Sequence, residues 1–235
     1  MRAILLAAGF GTRLKPLTLG IPKCLVPIGG KPLLEIWLDS LSQYGVSSFL
    51  INTHYLAEQV EKFIKNSCYA AHVELISEAK LKGTAGTLIA NLGFFDGEDA
   101  MLIHADNYCN ENFSYFIDAH KNRPSRALLS MMTFKTADPS SCGIVELDHE
   151  KIVKKFYEKK ANPPGNLANG AVYILSPEFC RILKKDFYLA QDFSTEILPN
   201  FLDRIYAYEA LGAFIDIGTP ENYALANKIA CERLV

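Results

Sequence analysis

The sequence predicts an α/β fold whose central sheet is mostly parallel and is extended by antiparallel strands. The first observation is that apolar stretches alternate with helix-periodic stretches over residues 1–110, in the order βαβαβ. Such alternation forces parallel strands with right-handed crossover connections. The second observation is that strand-like stretches follow one another over residues 126–175 with few helices between them. That pattern favours antiparallel pairing.

Each element is predicted from hydrophobic periodicity and from the Gly, Pro and Asn residues that flank it. The strands are expected at 3–8, 48–53, 72–77, 101–104, 126–134, 142–147, 151–157, 168–175 and 205–210. The helices are expected at 32–44, 55–65, 84–92, 177–183, 195–202 and 219–230. Pro32 and Pro220 stand where a helix begins, and Gly45 stands where one ends.

Length and charge limit the classes of protein to which this chain can belong. The chain has 235 residues, of which 49% are apolar, and this is enough for the core of a single domain spanning 1–235 with halves 1–110 and 111–235. The 24 Lys and Arg residues are balanced by 26 Asp and Glu residues. This balance argues against a protein that binds nucleic acid by neutralising many phosphates.

The cysteines and the hydrophobic pattern indicate the compartment. The six cysteines lie far apart and form no C-x-x-C pair, so we expect reduced, buried thiols rather than a zinc site or disulfides. The chain starts directly with a core strand and contains no apolar run that could cross a bilayer. We therefore expect a cytoplasmic protein with no membrane partner.

The segment after the first strand has the composition of a polyphosphate-binding loop. Gly9 and Gly11 allow a sharp turn whose backbone N–H groups can approach an anion, because neither residue has a Cβ. Arg13 and Lys23 add two positive charges, a planar fork and a point charge. A Gly-x-Gly turn by itself would fit an ordinary βα turn almost as well. Four prolines restrict the loop and so lower the entropy lost on binding: Pro16, Pro22, Pro27 and Pro32.

The string GFGTRLKPLT followed by PKCLVPIGGKPLL resembles the signature of the sugar-1-phosphate nucleotidylyltransferases, whereas neither G-x-G-x-x-G nor G-x-x-x-x-G-K-[ST] is present. The resemblance implies a Rossmann-like, three-layer nucleotidyltransferase fold whose first half binds the nucleotide and whose second half binds the sugar phosphate. It also implies that Arg13 and Lys23 are catalytic. The nucleotide-binding residues that it implies are Leu6, Ala8, Gly9, Gly11, Thr12, Arg13, Lys23 and, within LKGTAG, Gly83 and Thr84.

Two aspartates are candidate metal ligands. Asp106 and Asp216 each follow an apolar stretch, and open α/β sheets bind their ligands where strands end. From the residues alone, each aspartate could instead cap a turn. The resemblance implies that both hold Mg²⁺ against the nucleotide phosphates. This cation binds proteins through one or two carboxylates together with phosphate oxygens.

The predicted sugar-phosphate site draws mainly on the second half. Glu158 and Lys159 in KKFYEKK could simply form a charged edge strand, and the Asn-Gly pair in LANGAVYIL could be an ordinary turn. The resemblance leaves open whether Lys159 or Lys160 contacts the phosphate. The residues that it assigns to the sugar phosphate are Asp106, Glu158, Lys159, Asn169 and Gly170.

The predicted reaction is nucleotidyl transfer, in which a nucleoside triphosphate and a sugar 1-phosphate give an NDP-sugar and pyrophosphate. LKGTAG and DFSTEILP resemble the guanylyltransferases that act on mannose- or heptose-type 1-phosphates, which favours GTP. Uridylyl, thymidylyl or cytidylyl transfer to another small phosphorylated substrate is an alternative. The expected partners are the two substrates, and the resemblance leaves room for a homo-oligomer.

Two hypotheses belong to other classes. A non-catalytic nucleotide-sugar-binding regulatory subunit could share the fold, although Arg13, Lys23 and both aspartates are retained. A dinucleotide-dependent oxidoreductase would share the first βα turn. It needs an acidic residue at the end of the next strand, where this chain has Asn52.

Overall fold

The computed structural model describes residues 1–232, which fall into two compact units. The parallel unit comprises Ala3–Leu81, His104–Asn112 and the residues from Gly212 onward. The antiparallel unit comprises Met1–Arg2, Lys82–Ile103 and Phe113–Leu211.

Short strands and helices make up both units. The strands are β1 (Arg2–Leu6), β2 (Pro27–Ile28), β3 (Lys31–Pro32), β4 (Ser48–Thr53), β5 (Val73–Ser77), β6 (Ala100–His104), β7 (Asn107–Cys109), β8 (Leu129–Lys135), β9 (Gly143–Leu147), β10 (Val153–Glu158), β11 (Leu167–Leu175), β12 (Ile205–Glu209) and β13 (Phe214–Asp216). The α-helices are α1 (Leu33–Gln43), α2 (Ala57–Lys65), α3 (Gly83–Ala90), α4 (Phe113–Lys121), α5 (Pro177–Asp186) and α6 (Pro220–Glu232). Single 3-10 turns occupy Thr12–Leu14, Leu17–Leu19, Lys23–Leu25, Leu92–Phe95, Pro139–Ser141 and Leu198–Phe201, and a π turn occupies Phe193–Ile197.

The parallel unit is built on β1, β4 and β5. β4 pairs with β5 in parallel, from Phe49 opposite Val73 to Thr53 opposite Ser77, and β1 lies beside β4. The apolar run of β1 is buried, as expected for a strand covered on both faces. Two small antiparallel ribbons, β2 with β3 and β7 with β13, complete the unit.

The antiparallel unit is organised around β11, its longest strand. β11 pairs in antiparallel fashion with β6, β8 and β9, while β10 extends β9. β12 joins β8 in parallel. Four aromatic residues form much of the core beside β11: Tyr173, Phe179, Phe193 and Phe201.

The predicted fold class is confirmed: an α/β chain with parallel strands first and antiparallel strands after them. One element prediction was wrong, and α4 and the short strands β2, β3, β7 and β13 were not predicted. The helix expected at 195–202 is a π turn followed by a 3-10 turn, because Pro199 lacks the N–H that an α-helix would use. Helix α4 was not predicted, since its aromatic and β-branched residues are weak helix formers.

Some expectations concern the chain as a whole. The single domain at 1–235 with halves 1–110 and 111–235 stays a prediction, and residues 233–235 lie outside the described part. All six cysteines are free thiols, but only Cys24 and Cys109 are buried as expected; Cys142 and Cys180 are half-buried, and Cys68 and Cys231 are exposed. No helix within residues 1–232 has the length and apolar character needed to cross a membrane.

Candidate active site

The glycine-rich loop, residues 7–20, leaves the sheet where β1 ends. The carbonyl of Leu6 accepts a hydrogen bond from the N–H of Ala105 at 3.1 Å. Gly11 has a φ of +61°, and a Cβ there would lie 2.8 Å from Cγ2 of Thr18. Thr18 is fully buried and its hydroxyl donates to the Gly11 carbonyl at 2.7 Å. The loop therefore folds back on itself at a position that only glycine fits.

The two predicted cations occupy 3-10 turns of this same unit. Arg13 lies in the turn Thr12–Leu14 and keeps 62% of its side-chain surface exposed. Lys23 begins the turn Lys23–Leu25, and only 6% of its side chain is exposed. Gly9, by contrast with Gly11, has open space where a Cβ would stand. This part of the unit thus presents one exposed cation, one buried cation and an uncovered stretch of backbone.

The β7–β13 ribbon brings the two predicted aspartates together. Asp106 directly precedes β7, and Asp216 pairs with Asn107 across the ribbon. Gly212 has no room for a side chain, because a Cβ there would lie 2.7 Å from the carbonyl oxygen of Asn110. Its N–H donates to the buried carboxylate of Glu111 at 2.8 Å. The close approach of the two chain segments fixes the register that places the aspartates side by side.

One ammonium group contacts both aspartates. Nζ of Lys23 lies 2.9 Å from Oδ2 of Asp106 and 3.6 Å from Oδ1 of Asp216. Nη2 of Arg13 lies 3.4 Å from Oδ2 of Asp216. Two cations and two carboxylates therefore form a single cluster, which we call the charge cluster: Arg13, Lys23, Asp106 and Asp216.

The cluster stabilises the charged form of Asp106. Desolvation by the surrounding protein raises the pKa of this carboxyl, but the charges of Lys23 and His104, with hydrogen bonds from Lys23 and the backbone, together lower it overall. The side chains of Asp106 and Asp216 are 44% and 37% exposed, so both can still accept another ligand. Burial raises the pKa of the neighbouring Cys24 thiol to about 12, so this cysteine adds no charge.

The residues after β13 hold Asp216 in place. The N–H of Gly218 donates to Oδ1 of Asp216 at 2.8 Å, and the Nδ2 group of Asn222 donates to its carbonyl at 2.8 Å. A Cβ on Gly218 would lie 2.7 Å from Nη2 of Arg13. Glycine at 218 therefore lets the guanidinium reach the carboxylate.

In the antiparallel unit, Gly83 and Thr84 begin α3 and are tied to the segment before the π turn. Gly83 has a φ of +80°, and a Cβ there would lie 2.3 Å from the carbonyl oxygen of Gln191. That carbonyl accepts the N–H of Ala85 at 2.9 Å, and the Thr84 hydroxyl accepts the N–H of Phe193 at 2.8 Å. The predicted roles of Gly83 and Thr84 at the nucleobase stay predictions.

Glu158 and Lys159 stand at the end of β10. The side chain of Glu158 is 25% exposed, whereas that of Lys159 is 68% exposed, and Oε1 of Glu158 lies 3.6 Å from Nζ of Lys159. Burial raises the pKa of Glu158, and this effect exceeds the opposing charge of Lys159. A Cβ on Gly143 would lie 2.6 Å from Oε2 of Glu158, so glycine at 143 makes room for the carboxylate.

Asn169 and Gly170 lie inside β11, not in a turn before it. The strand register shifts between Asn169 and Tyr173, and Ala171 has a φ of +53°. The Asn169 carboxamide accepts the N–H of Ala171 at 2.9 Å and donates to the hydroxyl of Tyr173 at 2.7 Å. The irregularity is therefore a β-bulge that turns the Asn169 side chain along the strand.

The comparisons with known proteins agree with this geometry. The family model described as nucleotidyl transferase matches residues 2–233. The chain belongs to that family. Within it, the chain is 31% identical to mannose-1-phosphate guanylyltransferase catalytic subunit beta of Drosophila pseudoobscura pseudoobscura, covering 94% of this chain and 60% of that protein. It is 27% identical to mannose-1-phosphate guanyltransferase of Aspergillus fumigatus, covering 95% of this chain and 62% of that protein.

A solved structure aligns with the whole chain. HddC from Yersinia pseudotuberculosis, crystallised with GMP-PN, superposes with a TM-score of 0.80 at 28% identity over 100% of this chain and 99% of that one. This likeness supports the α/β nucleotidyltransferase fold expected from the motif. The chain spans about three fifths of the length of the two curated relatives named above.

Three residues of the candidate site were not predicted from the sequence. Thr18 orders the glycine-rich loop, Asn222 holds Asp216, and Gly143 makes room for Glu158. Thr18 stands within the signature string and could have been noticed there. Neither Asn222 nor Gly143 belongs to a quoted motif: Asn222 lies in the helix after Asp216, and Gly143 meets Glu158 across two strands.

The oxygen ligands available to a cation come from the charge cluster. The described residues contain no group of three or more His, Cys, Asp and Glu side chains that could hold a metal ion. Asp106 and Asp216 supply two half-exposed carboxylates that converge on Lys23. Two carboxylates fit a hard cation that takes its remaining ligands from phosphate and water.

Proposed function

We propose that this chain joins a nucleoside triphosphate to a sugar 1-phosphate, giving an NDP-sugar and pyrophosphate, with GTP and a mannose- or heptose-type 1-phosphate as the preferred pair. The observation that carries the proposal is the charge cluster. In it, a buried lysine contacts two half-exposed carboxylates, so a cation for phosphate stands beside the oxygen ligands for a metal ion. Membership of the nucleotidyl transferase family supports the same reaction.

The nucleophile needs no activation by a general base. A phosphate oxygen of the sugar 1-phosphate is already an anion, and it attacks the α-phosphorus of the triphosphate while pyrophosphate leaves. The protein must offset the repulsion between two phosphates and hold them in line. Lys23 is proposed to contact the reacting phosphate, and Arg13 to neutralise charge on the leaving group. The exposed guanidinium of Arg13 can swing to a ligand, whereas Lys23 is held in place by its burial.

The backbone of the glycine-rich loop is proposed to bind the triphosphate. Leu6, Ala8, Gly9, Gly11 and Thr12 all belong to the segment that leaves β1. Gly9 has no neighbour within 4 Å of the position of a Cβ, so an anion can approach its N–H closely. Gly83 and Thr84 of the antiparallel unit are proposed to border the nucleobase.

Magnesium is the proposed cofactor, and Asp106 and Asp216 are the residues that would hold it. When bound, Mg²⁺ supplies Lewis-acid stabilisation of phosphate charge, worth several kcal/mol. Lys23 contacts both carboxylates and lowers the pKa of Asp106. With the carboxylates engaged by a metal ion, Arg13 and Lys23 would be available to bind phosphate.

The sugar phosphate is proposed to contact Glu158, Lys159, Asn169 and Gly170 of the antiparallel unit, together with Asp106. Glu158 and Lys159 offer an acceptor for sugar hydroxyls and a donor for phosphate at one strand end. Lys159 has a φ of +46° and so turns the chain sharply after β10. This turn favours Lys159 over Lys160 as the lysine that contacts the sugar phosphate.

The preference for GTP is supported by two relatives. One is called a mannose-1-phosphate guanylyltransferase, and the other was crystallised with GMP-PN. A uridylyl, thymidylyl or cytidylyl transferase, or a regulatory subunit without activity, would share the fold. The retention of all four members of the charge cluster favours an active enzyme over a regulatory subunit.

Pyrophosphate release tests the proposal. The purified protein would be assayed with GTP, ATP, UTP, dTTP and CTP, each paired with a panel of sugar 1-phosphates in the presence of Mg²⁺. We expect the highest kcat/KM for GTP with a mannose-configured 1-phosphate. A higher kcat/KM for another triphosphate would overturn the nucleotide assignment, and no pyrophosphate with any pair would overturn the enzymatic one.

A further inference from the structure

The end of β4 makes a buried contact with the start of the glycine-rich loop. Oδ1 of Asn52 accepts the N–H of Ala7 at 2.9 Å, and the Asn52 side chain is 4% exposed. Its Nδ2 group donates to Oε1 of Glu78 at 3.3 Å, and Glu78 is 5% exposed. Ala7 is the first residue after β1. The amide of Asn52 thus fixes the point at which the chain leaves the sheet.

The residues after Asn52 support the tip of the loop. The ring of Phe10 meets His54 edge-on at a centroid distance of 5.3 Å and lies 5.8 Å from Tyr55. Nδ1 of His54 is in turn held by the carbonyl of Glu78 at 2.6 Å. Phe10 stands between Gly9 and Gly11 and is 47% exposed. The tip therefore rests on the side chains of His54 and Tyr55, which follow β4. His54 is anchored to the backbone of the same glutamate, Glu78.

The same segment also holds the far end of the loop. The hydroxyl of Tyr55 donates to the carbonyl of Leu19 at 3.2 Å. Nε2 of Gln59 donates to the carbonyl of Gly20 at 2.9 Å. One stretch of eight residues, 52–59, therefore contacts the beginning, the tip and the end of the glycine-rich loop.

The chemistry of Asn52 makes its orientation decisive. A carboxamide has one acceptor end and one donor end, and here the acceptor faces a backbone N–H while the donor faces a carboxylate. Glu78 therefore determines which way the amide points. If the carboxamide turned over, its NH₂ group would face the N–H of Ala7, and a buried donor would lose its partner.

We infer that Asn52 is a positioning residue for nucleotidyl transfer: oriented by Glu78, it holds the glycine-rich loop in the geometry that receives the triphosphate. The inference rests on the proposed function, since it concerns the loop proposed to bind the nucleotide. Asn52 is not proposed to contact the reacting atoms. Its effect passes through the backbone of Ala7 and on to Gly9.

A swap of functional groups tests the inference. Asn52→Asp replaces the donor that faces Glu78 with an acceptor, and the repulsion between the two buried carboxylates should displace the side chain from the N–H of Ala7. The double change Asn52→Asp with Glu78→Gln exchanges the two groups and restores one donor between them. We expect Asn52→Asp to raise the KM for the triphosphate about tenfold, the size expected for one buried hydrogen bond, with a smaller change in kcat. The double variant should return the KM to within about threefold of the wild type.

Amide exchange gives a readout that needs no substrate. Exchange of the Ala7 N–H, followed by NMR, should be about tenfold faster in Asn52→Asp and slow again in the double variant. Asn91→Asp is the matched control, because the Asn91 carboxamide likewise bonds to the backbone, here by donating to the carbonyl of Thr87, but lies outside the proposed site. It should change neither the KM nor the exchange at Ala7.

The outcomes separate this inference from the proposed function. A wild-type KM in Asn52→Asp, or a double variant no better than the single one in both KM and Ala7 exchange, would overturn the positioning role. If the wild type released no pyrophosphate with any substrate pair, the proposed function would fall. The exchange measurements would still decide whether Asn52 and Glu78 hold the loop.

Discussion

The two units prepare their candidate site residues in different ways. In the parallel unit, residues from three distant parts of the chain meet in one charge cluster with a buried lysine at its centre. In the antiparallel unit, the predicted residues are fixed mostly by neighbours on their own or adjoining segments. Glu158 pairs with Lys159, and Asn169 bonds to Ala171 and Tyr173.

This difference suggests a division of labour. Charges held together before substrate arrives are suited to stabilising a transition state, because they need no reorganisation when the reaction occurs. Residues shaped by glycine contacts and a β-bulge are suited to recognising the outline and hydroxyl groups of a sugar. We therefore expect substitutions in the charge cluster to act mainly on kcat, and substitutions at the sugar side to act mainly on KM.

The largest expected effect comes from removing a carboxylate of the charge cluster. Asp106→Asn and Asp216→Asn each replace an anionic oxygen ligand with a neutral amide of the same size. We expect turnover at limiting Mg²⁺ to fall by about 10³-fold or more, while the melting temperature changes little. Asp118→Asn on the exposed face of α4 is the control and should retain activity. Wild-type turnover in either cluster variant would remove that residue from the proposed metal site.

Two glycine substitutions separate an effect on stability from an effect on nucleotide binding. Gly83→Ala should destabilise the protein by about 3 kcal/mol or more, because its φ is +80° and the new Cβ would lie 2.3 Å from the Gln191 carbonyl. Gly9→Ala meets open space, so its stability should change by less than about 1 kcal/mol. Its added Cβ should nevertheless hinder the triphosphate and raise the KM for the nucleotide. Urea unfolding and steady-state kinetics on both variants would check this, and an equally unstable Gly9→Ala would contradict it.

The smallest effect concerns Glu158, which lacks a buried cation like the one beside Asp106. Because the folded protein raises the pKa of Glu158, its contribution to stability is complete below the unfolded pKa and is lost as the pH rises through the folded pKa. Glu158→Gln should therefore gain stability relative to the wild type as the pH rises from 4 to 7, by on the order of 1 kcal/mol. Unfolding free energies at several pH values measure the slope. A slope of opposite sign would mean that Lys159 outweighs desolvation.

The sequence predicted the parallel unit better than the antiparallel one, for a physical reason. The strand at β4 and the signature loop are encoded by continuous local patterns, and Arg13 and Lys23 could be named from them. The meeting of Asp106 with Asp216 depends on β7 and β13, two three-residue strands too short to have a periodicity. The strand at 168–175 was expected, but the β-bulge at Asn169 was not, because it depends on pairing with β8, which a single-strand pattern does not contain.

A matched pair of lysine substitutions tests the division of labour most directly. Lys23→Met and Lys159→Met remove the same charge from the two units, and kcat and KM would be measured for each with both substrates varied. We predict that Lys23→Met lowers kcat by about 100-fold or more, whereas Lys159→Met raises the KM for the sugar phosphate about tenfold and leaves kcat within about threefold. A Lys23→Met enzyme with unchanged kcat, or a Lys159→Met enzyme with an equal loss of kcat, would contradict the account.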